Sequence, residues 1–394
     1  MKCHPVVLLG STGTVGISAL DVLSRHKEAY PILALSGWRQ LDVLLKQCLV
    51  HHPTYAVVES ADSARYLTDA LSHACCKTVV LHGTQALLDM ARLSEADYVI
   101  AAIVGAAGLP TVLAAACAGK KILLANKESL VISGHLVKAA LDQHHGQLLP
   151  IDSEHSAILQ ALPPDFDGDL KASGVEKLVL TASGGPFRLF SKQAMRNVTP
   201  KEACAHPIWS MGKKISVDSA TLMNKGLEII EACWLFHATA DQIEVVIHPE
   251  SVLHAMVQYQ DGSALAQMSV PDMRTAIACA LSWPRRIASG VARLSLTQLS
   301  VLHFEIPDFK RFPCLQLALD ALRMAGDAPA ILNAANEVAV AAFLDTHISF
   351  GDIPIIIDHT LTRLAHRPVS QDLAALLSCD HEARSVAQQE VAKR

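Results

Sequence analysis

Asp152 and Glu154 stand two residues apart, directly after the apolar run Leu148-Leu149-Pro150-Ile151. In extended backbone, residues i and i+2 point the same way, so both carboxylates would aim at one point just past a strand end. Like charges crowded together need a cation or a shared proton. Oxygen-only ligands of this kind suit Mg²⁺ or Mn²⁺. The same spacing also reads as a solvated acidic loop or a helix N-cap. Further along, Ser219, Asn224 and Lys225 are the donor types that hold a phosphate. Glu228 is expected to open a helix over 227–236, where the helix dipole already favours an acid. Glu231, one turn on, reads as a supporting or surface carboxylate rather than a ligand. Ser183-Gly184-Gly185-Pro186 follows an expected strand over 177–181. A Gly-Gly pair exposes backbone N–H groups to an anion beside the serine hydroxyl, although ordinary turns share that composition. His206-Pro207-Ile208-Trp209-Ser210-Met211-Gly212 reads either as a lid that excludes water or as a surface loop packed on a core.

These groups need elements to position them. The run over 6–9 reads as a strand. It meets Gly10-Ser11-Thr12-Gly13-Thr14-Val15-Gly16 and then an amphipathic helix over 17–26. Strand, glycine turn and helix in that order place a helix N-terminus where backbone N–H groups can hold a pyrophosphate, or form a tight turn with no ligand. The second strand, over 32–35, runs into Ser36-Gly37-Trp38-Arg39-Gln40, where an NAD-binding chain would carry an acid. A cationic Arg39 suits a 2′-phosphate and favours NADP over NAD, or is a surface arginine. Strands over 55–58, 78–81, 98–104, 121–125 and 147–151 alternate with helical stretches. That alternation predicts a parallel doubly wound sheet with ligands at the carboxyl ends of its strands. Asn126-Lys127-Glu128 lies at one such end, and Asp152 and Glu154 at another.

The fold class expected is α/β in three parts. An N-terminal doubly wound, Rossmann-like dinucleotide-binding domain spans 1–150. A central α+β catalytic domain with a mixed sheet spans 151–283, with strands over 244–248 and 264–268. An irregular, proline-punctuated linker over 284–313 leads to a C-terminal helical domain over 314–394, with helices over 315–325, 330–344, 353–364 and 382–392.

A net charge of −5 with 18% charged residues offers no basic surface for nucleic acid. The ten cysteines are scattered, without CxxC or zinc spacing, as in a cytoplasmic chain of reduced thiols. The nineteen histidines show no HExxH. The N-terminal residues run straight into a strand without the layout of a signal peptide. The uncharged run over 99–119 is long enough to span a bilayer, but Gly105, Gly108 and Pro110 punctuate it as a buried strand–turn–helix unit. No membrane association is expected.

The glycine turn, Leu124-Ala-Asn-Lys-Glu-Ser, Pro150-Ile-Asp-Ser-Glu-His, Ser183-Gly-Gly-Pro-Phe, the 206–212 segment and Lys214-Ile-Ser-Val-Asp-Ser-Ala-Thr-Leu-Met-Asn-Lys-Gly-Leu-Glu occur in this order. Over nearly its whole length the chain resembles the 1-deoxy-D-xylulose 5-phosphate reductoisomerase family of the non-mevalonate isoprenoid pathway. The resemblance implies a homodimeric, NADPH-dependent, divalent-metal enzyme that rearranges a phosphorylated ketose to an aldehyde and reduces it to 2-C-methyl-D-erythritol 4-phosphate. It assigns the 151–283 part to catalysis and dimerisation. It makes Asp152, Glu154 and Glu228 the metal ligands, with Lys127 and His206 also catalytic. Lys127, Ser153, Glu154, Ser183, His206, Ser219, Asn224, Lys225 and Glu228 would contact substrate. Thr12, Gly13, Thr14, Val15, Gly37, Arg39, Gln40, Asn126, Glu128 and Gly212 would contact NADPH. Where the family commonly reads Ala-Gly-Lys-Asn, this chain reads Gly37-Trp38-Arg39-Gln40. Arginine keeps the charge, and Trp38 either stacks on the adenine or covers the sheet edge. Two rival readings are a plain NADP-dependent dehydrogenase and a non-enzymatic dinucleotide sensor. The metal carboxylates argue against the first, since hydride transfer alone does not need them. The convergence of Asp152, Glu154 and Lys225 argues against the second.

Overall fold

A strand covered on both faces by helices reads as an unbroken apolar run rather than an alternating one. Val6–Leu9 is such a run, and it forms β1 with all four residues buried. The structure, a computed structural model, describes residues 3–299, 301–364 and 367–394. Six more strands follow: β2 (Ile32–Ser36), β3 (Tyr55–Val58), β4 (Val79–His82), β5 (Tyr98–Ala101), β6 (Lys121–Leu124) and β7 (Gln147–Pro150). All pair in parallel, in the order β4-β3-β2-β1-β5-β6-β7. Helices α1 (Thr14–Arg25), α2 (Leu41–His51), α3 (Ala61–His73), α4 (Gly83–Ala91) and α5 (Leu109–Cys117) connect the first six, and α6 (Lys127–His144) connects β6 to β7. The order reverses at β1 and β5, and the crevice outside the carboxyl ends of that pair is where such sheets bind ligands. The strand expected over 98–104 stops at Ala101, because Gly105 turns the chain with φ 76°.

The second sheet is mixed, as expected. Its strands β8 (Val175–Ala182), β9 (Ile243–Ile247), β10 (Leu253–Tyr259) and β11 (Ala264–Met268) lie in the order β11-β10-β8-β9. β10 runs antiparallel to β8 and β11, while β8 and β9 are parallel. Helices α7 (Ser153–Ala161), α8 (Lys192–Met195), α9 (Pro200–Ala203), α10 (Lys213–Ala220) and α11 (Met223–Phe236) surround this region in the chain, and α12 (Met273–Ser282) follows β11. The C-terminal helices are α13 (Pro313–Met324), α14 (Ala328–Leu344), α15 (Ile353–Arg363) and α16 (Leu373–Val391). The last begins well before the expected 382, because Asp372 caps it by accepting from Ala375 N at 2.8 Å.

Contacts divide the chain into two units whose bounds differ from the expected cuts at 150, 283 and 313. One comprises 1–129, 137–156 and 272–292; the other comprises 130–136, 157–271 and 293–394. In the first, the segment after β11 is stapled to the N-terminal helix: Arg274 meets Asp21 at 2.6 Å, and Tyr30 donates to Leu281 O at 3.0 Å. In the second, the C-terminal helices share one core with α11, including Leu227, Ile230, Leu315, Ile331 and Phe343. Part of the expected linker is tied to β9 there by an isolated antiparallel bridge, with Glu305 and Ile247 exchanging both backbone hydrogen bonds at 2.8 and 2.9 Å. Among the described residues no helix is long and apolar enough to cross a membrane.

Candidate functional site

In the first unit the glycine turn is dictated by close approach. Gly10 has φ 88°, and a Cβ there would stand 2.6 Å from Ala102 O. A Cβ on Gly16 would stand 2.3 Å from Gly10 O, so only glycine lets α1 press onto the turn. Helix α1 therefore starts at Thr14 rather than at the expected 17. Gly13 is its N-cap and brings no side chain to cap it. The N–H groups of a helical first turn, here Thr14, Val15 and Gly16, have no partner within the helix and present a partial positive charge. Thr12 is buried, and Gln40 Nε2 donates to its carbonyl at 3.3 Å. Gly37 faces the Thr12 methyl so closely that a Cβ would meet it at 2.6 Å. Arg39 and Gln40 are exposed beside an open pocket that Asp42 and Tyr66 also line, and Trp38 is 36% exposed. This glycine crevice with a cation past β2 fits a dinucleotide bearing a 2′-phosphate.

Asn126 caps α6, accepting from Ser129 N at 2.9 Å. Its amide donates to Ile103 O at 2.7 Å and Gly105 O at 2.8 Å, tying the loop after β5 to the start of α6. Glu128, also buried, lies 3.3 Å from that amide. Lys127 is 6% exposed and places Nζ 2.5 Å from Asp152 Oδ2. Asp152 and Glu154 do not share one extended strand. The Asp152 carbonyl accepts from Ser156 N at 2.9 Å, and helix α7 begins at Ser153. Aspartate is a favoured N-cap, and Glu154 then falls in the first helical turn. The expected convergence survives by this different route: ligand oxygens of Asp152 and Glu154 lie within 4.8 Å of one another. Ser153 Oγ donates to Glu154. Two hard oxygen donors so close fit a divalent cation such as Mg²⁺ or Mn²⁺.

In the second unit β8 delivers Ser183 to a turn in which Gly184 and Gly185 have φ 83° and 67°. Gly185 packs on the end of α10, where a Cβ would stand 2.7 Å from Ser219 O. His206 Nδ1 accepts from Ile208 N at 3.1 Å and Trp209 N at 2.9 Å. A nitrogen that accepts twice carries no proton, so Nε2 carries it and donates to Ser183 Oγ at 2.8 Å. Burial pushes the His206 ring down to about 4, which keeps this neutral tautomer. Ser183 Oγ also accepts from Gly185 N at 3.2 Å. With both acceptor directions used, its own proton is left to donate outward, as a phosphate oxygen requires.

Helix α10 starts at Gly212, and a Cβ there would meet nothing within 4 Å. Lys213 and Lys214 occupy its first turn, adding positive charge to the positive end of the helix. Leu222, with φ 60°, turns the chain sharply into α11. Glu228 is therefore not a first-turn acid: α11 begins at Met223, and Glu228 lies in its second turn, fully buried. Asn224 and Lys225 both donate to its carboxylate. Gly226 lets α13 approach, since a Cβ would stand 2.4 Å from Ala318 Cβ. Glu231 is fully buried, which removes the surface reading. The 206–212 segment is irregular, and the Trp209 ring lies 6.3 Å from that of His254 on β10.

His254 was missed in the sequence. It is 5% exposed, its Nε2 lies 2.9 Å from Ser269 Oγ, and burial, with Lys225 nearby, pushes it down to about 4. The one signal for it was a histidine inside an apolar strand.

Three family models match. Residues 6–134 match 1-deoxy-D-xylulose 5-phosphate reductoisomerase, 148–236 its C-terminal domain, and 268–386 the DXP reductoisomerase C-terminal domain. The 1-deoxy-D-xylulose 5-phosphate reductoisomerase of Cellvibrio japonicus is 54% identical over 394 residues, covering 98% of each chain. That of Pseudomonas aeruginosa is 54% identical over 384 residues, covering 98% of this chain and 97% of its own. A crystal structure of DOX-P reductoisomerase with NADPH, fosmidomycin and magnesium is 45% identical, with a TM-score of 0.95 over 99% of this chain and 98% of that one. The Zymomonas mobilis reductoisomerase with NADPH is 41% identical, with a TM-score of 0.90 and 99% of each chain covered.

Proposed function

The chain belongs to the 1-deoxy-D-xylulose 5-phosphate reductoisomerase family, and from that premise we infer how its own residues divide the reaction. The enzyme is an NADP-dependent oxidoreductase that converts 1-deoxy-D-xylulose 5-phosphate to 2-C-methyl-D-erythritol 4-phosphate with a divalent metal, a step in isoprenoid precursor synthesis.

Asp152, Glu154 and Glu228 are proposed to hold the metal, Mg²⁺ or Mn²⁺. Thr12, Gly13, Thr14, Val15, Gly37, Arg39, Gln40, Asn126, Glu128 and Gly212 are proposed to form the NADPH site. When bound, the metal stabilises negative charge on adjacent substrate oxygens and NADPH supplies the hydride. Ser183, Ser219 and Asn224 give the phosphate directional hydrogen bonds, and Lys225 gives it charge. His206 keeps its proton on Nε2 and orients Ser183. Lys127, 2.5 Å from Asp152, offsets the carboxylate charge and orients it. Ser153 does the same for Glu154 through its hydroxyl. Trp209 closes the loop over the site and excludes water from the aldehyde. Phosphate binding far from the reacting carbons holds the substrate in register for the rearrangement.

The observation that carries this reading is the Asp152–Glu154 oxygen pair within 4.8 Å, beside Lys127, which hydride transfer alone does not need. The proposed assembly is a homodimer, as the family resemblance implies, and Leu265 on β11, 54% exposed, is available to be covered in it. The proposed compartment is the cytoplasm, because all ten cysteines are free thiols.

The test is NADPH oxidation with 1-deoxy-D-xylulose 5-phosphate after chelation and after return of Mg²⁺ or Mn²⁺. Turnover should vanish on chelation and return with the ion. Turnover indifferent to chelation would leave a plain dehydrogenase, and no turnover under any condition would leave a dinucleotide binder.

A further inference from the structure

We propose that Asn336 is a positioning residue for the phosphate site, acting through Asp218 of α10. The inference rests on the reading of Ser183, Ser219 and Lys225 as phosphate donors. Asp218 is 1% exposed and immediately precedes Ser219. One of its oxygens lies 2.8 Å from Lys214 Nζ, one turn earlier on the same helix. The other accepts from Asn336 Nδ2 at 2.8 Å. Asn336 is 0% exposed and lies on α14 of the C-terminal helices. A carboxylate only accepts, so the asparagine must turn its NH₂ toward α10, and the bond fixes how α10 is rotated against α14.

That rotation is passed on at two points. The Asp218 carbonyl accepts from Thr221 Oγ1 at 3.2 Å, and Thr221 Oγ1 in turn accepts from Met223 N at 3.3 Å. The start of α11, with Asn224 and Lys225, is thus tied to the residue that Asn336 holds. At the same helix end, Gly185 sits against Ser219 O with no room for a Cβ. The Ser183 turn must follow any movement of α10. One buried amide therefore sets the relative placement of Ser183, Ser219 and Lys225, which lie on three separate pieces of chain.

A polar pair between two helices could serve stability alone, so the test separates the two roles. Asn336→Ala is expected to raise KM for 1-deoxy-D-xylulose 5-phosphate about tenfold while KM for NADPH stays within about twofold. In a Ser219→Ala background the same substitution should raise KM by clearly less than about tenfold, because one of the three groups it positions is gone. Asn336→Ser, which keeps a donor and opens less space, should fall between the wild type and Asn336→Ala and keeps the test open if the alanine variant does not fold. An unchanged substrate KM in either folded variant, parallel rises in both KM values, or a full effect in the Ser219→Ala background would overturn the proposal. If Ser219→Ala alone leaves KM unchanged, the phosphate reading fails and this inference with it. If Ser219→Ala raises KM and Asn336→Ala does not, only this inference fails.

Discussion

His254 couples the region to pH chiefly through burial. Its ring stays neutral down to about 4 in the folded chain, whereas an unfolded chain protonates it near 6.5. Between those values the unfolded state binds more protons, so stability is fully present above 6.5 and is lost as pH falls toward 4. His206 acts in the same direction over the same window. Each histidine removes up to about 1.4 kcal/mol per pH unit in that range. His254→Gln keeps a polar group facing Ser269 and removes one titration. Thermal midpoints measured from pH 7 to pH 4 should fall less steeply for the variant, and equal slopes would discard the assignment. Arg39 carries the second residue-scale claim. It is exposed just past β2, and the stretch over 36–40 carries no acidic residue to bind a ribose hydroxyl. Arg39→Asp should cut the preference for NADPH over NADH by about tenfold or more. Equal use of both cofactors by the unmodified enzyme would show that Arg39 is only a surface charge.

Helix α11 shows how an element, rather than a single residue, places the chemistry. Gly226 lies between Lys225 and Glu228, and its bare Cα is what lets α13 come within reach of Ala318. Gly226→Ala gains helix propensity worth about 1 kcal/mol. It also forces two Cβ atoms to 2.4 Å, an overpacking that costs about 1–3 kcal/mol. The thermal midpoint should fall, and adding Ala318→Gly should recover part of the loss. No recovery would mean that the strain lies elsewhere. The glycine turn and the Asp152 pair were legible because glycine, aspartate and short apolar runs act locally. The start of α11 was not, because left-handed Leu222 is set by tertiary packing and gives no cap signal. The same limit hid α16 before residue 382, where the apolar period is weak, and hid Asn336. An asparagine inside an alanine-rich helix declares a role only when a buried carboxylate faces it. The resemblance implied what spacing could not, namely a set of three acids for the metal.

At the scale of the molecule, exposed apolar side chains and the acids are the two features that folding of one chain leaves unresolved. Leu265 sits on β11, the outer strand of its sheet, and is more than half exposed. Light scattering on the purified protein should give about twice the chain mass of 42.2 kDa, and Leu265→Asp should shift it toward one chain. A wild-type mass of one chain would remove the dimer. The central claim is that Asp152, Glu154 and Glu228 together hold one divalent ion. Glu228→Gln preserves size and one acceptor oxygen, so it keeps only one of the two hydrogen bonds from Asn224 and Lys225, and it removes one charge. The most direct measurement is titration of Mn²⁺ into wild type and Glu228→Gln, read by the paramagnetic signal of the free ion. The account predicts a single Mn²⁺ site in the wild type, about tenfold or more weaker in a folded variant that still binds NADPH. Turnover should be largely lost and partly restored by raised metal. Unchanged Mn²⁺ affinity together with near-normal turnover in the variant would contradict it.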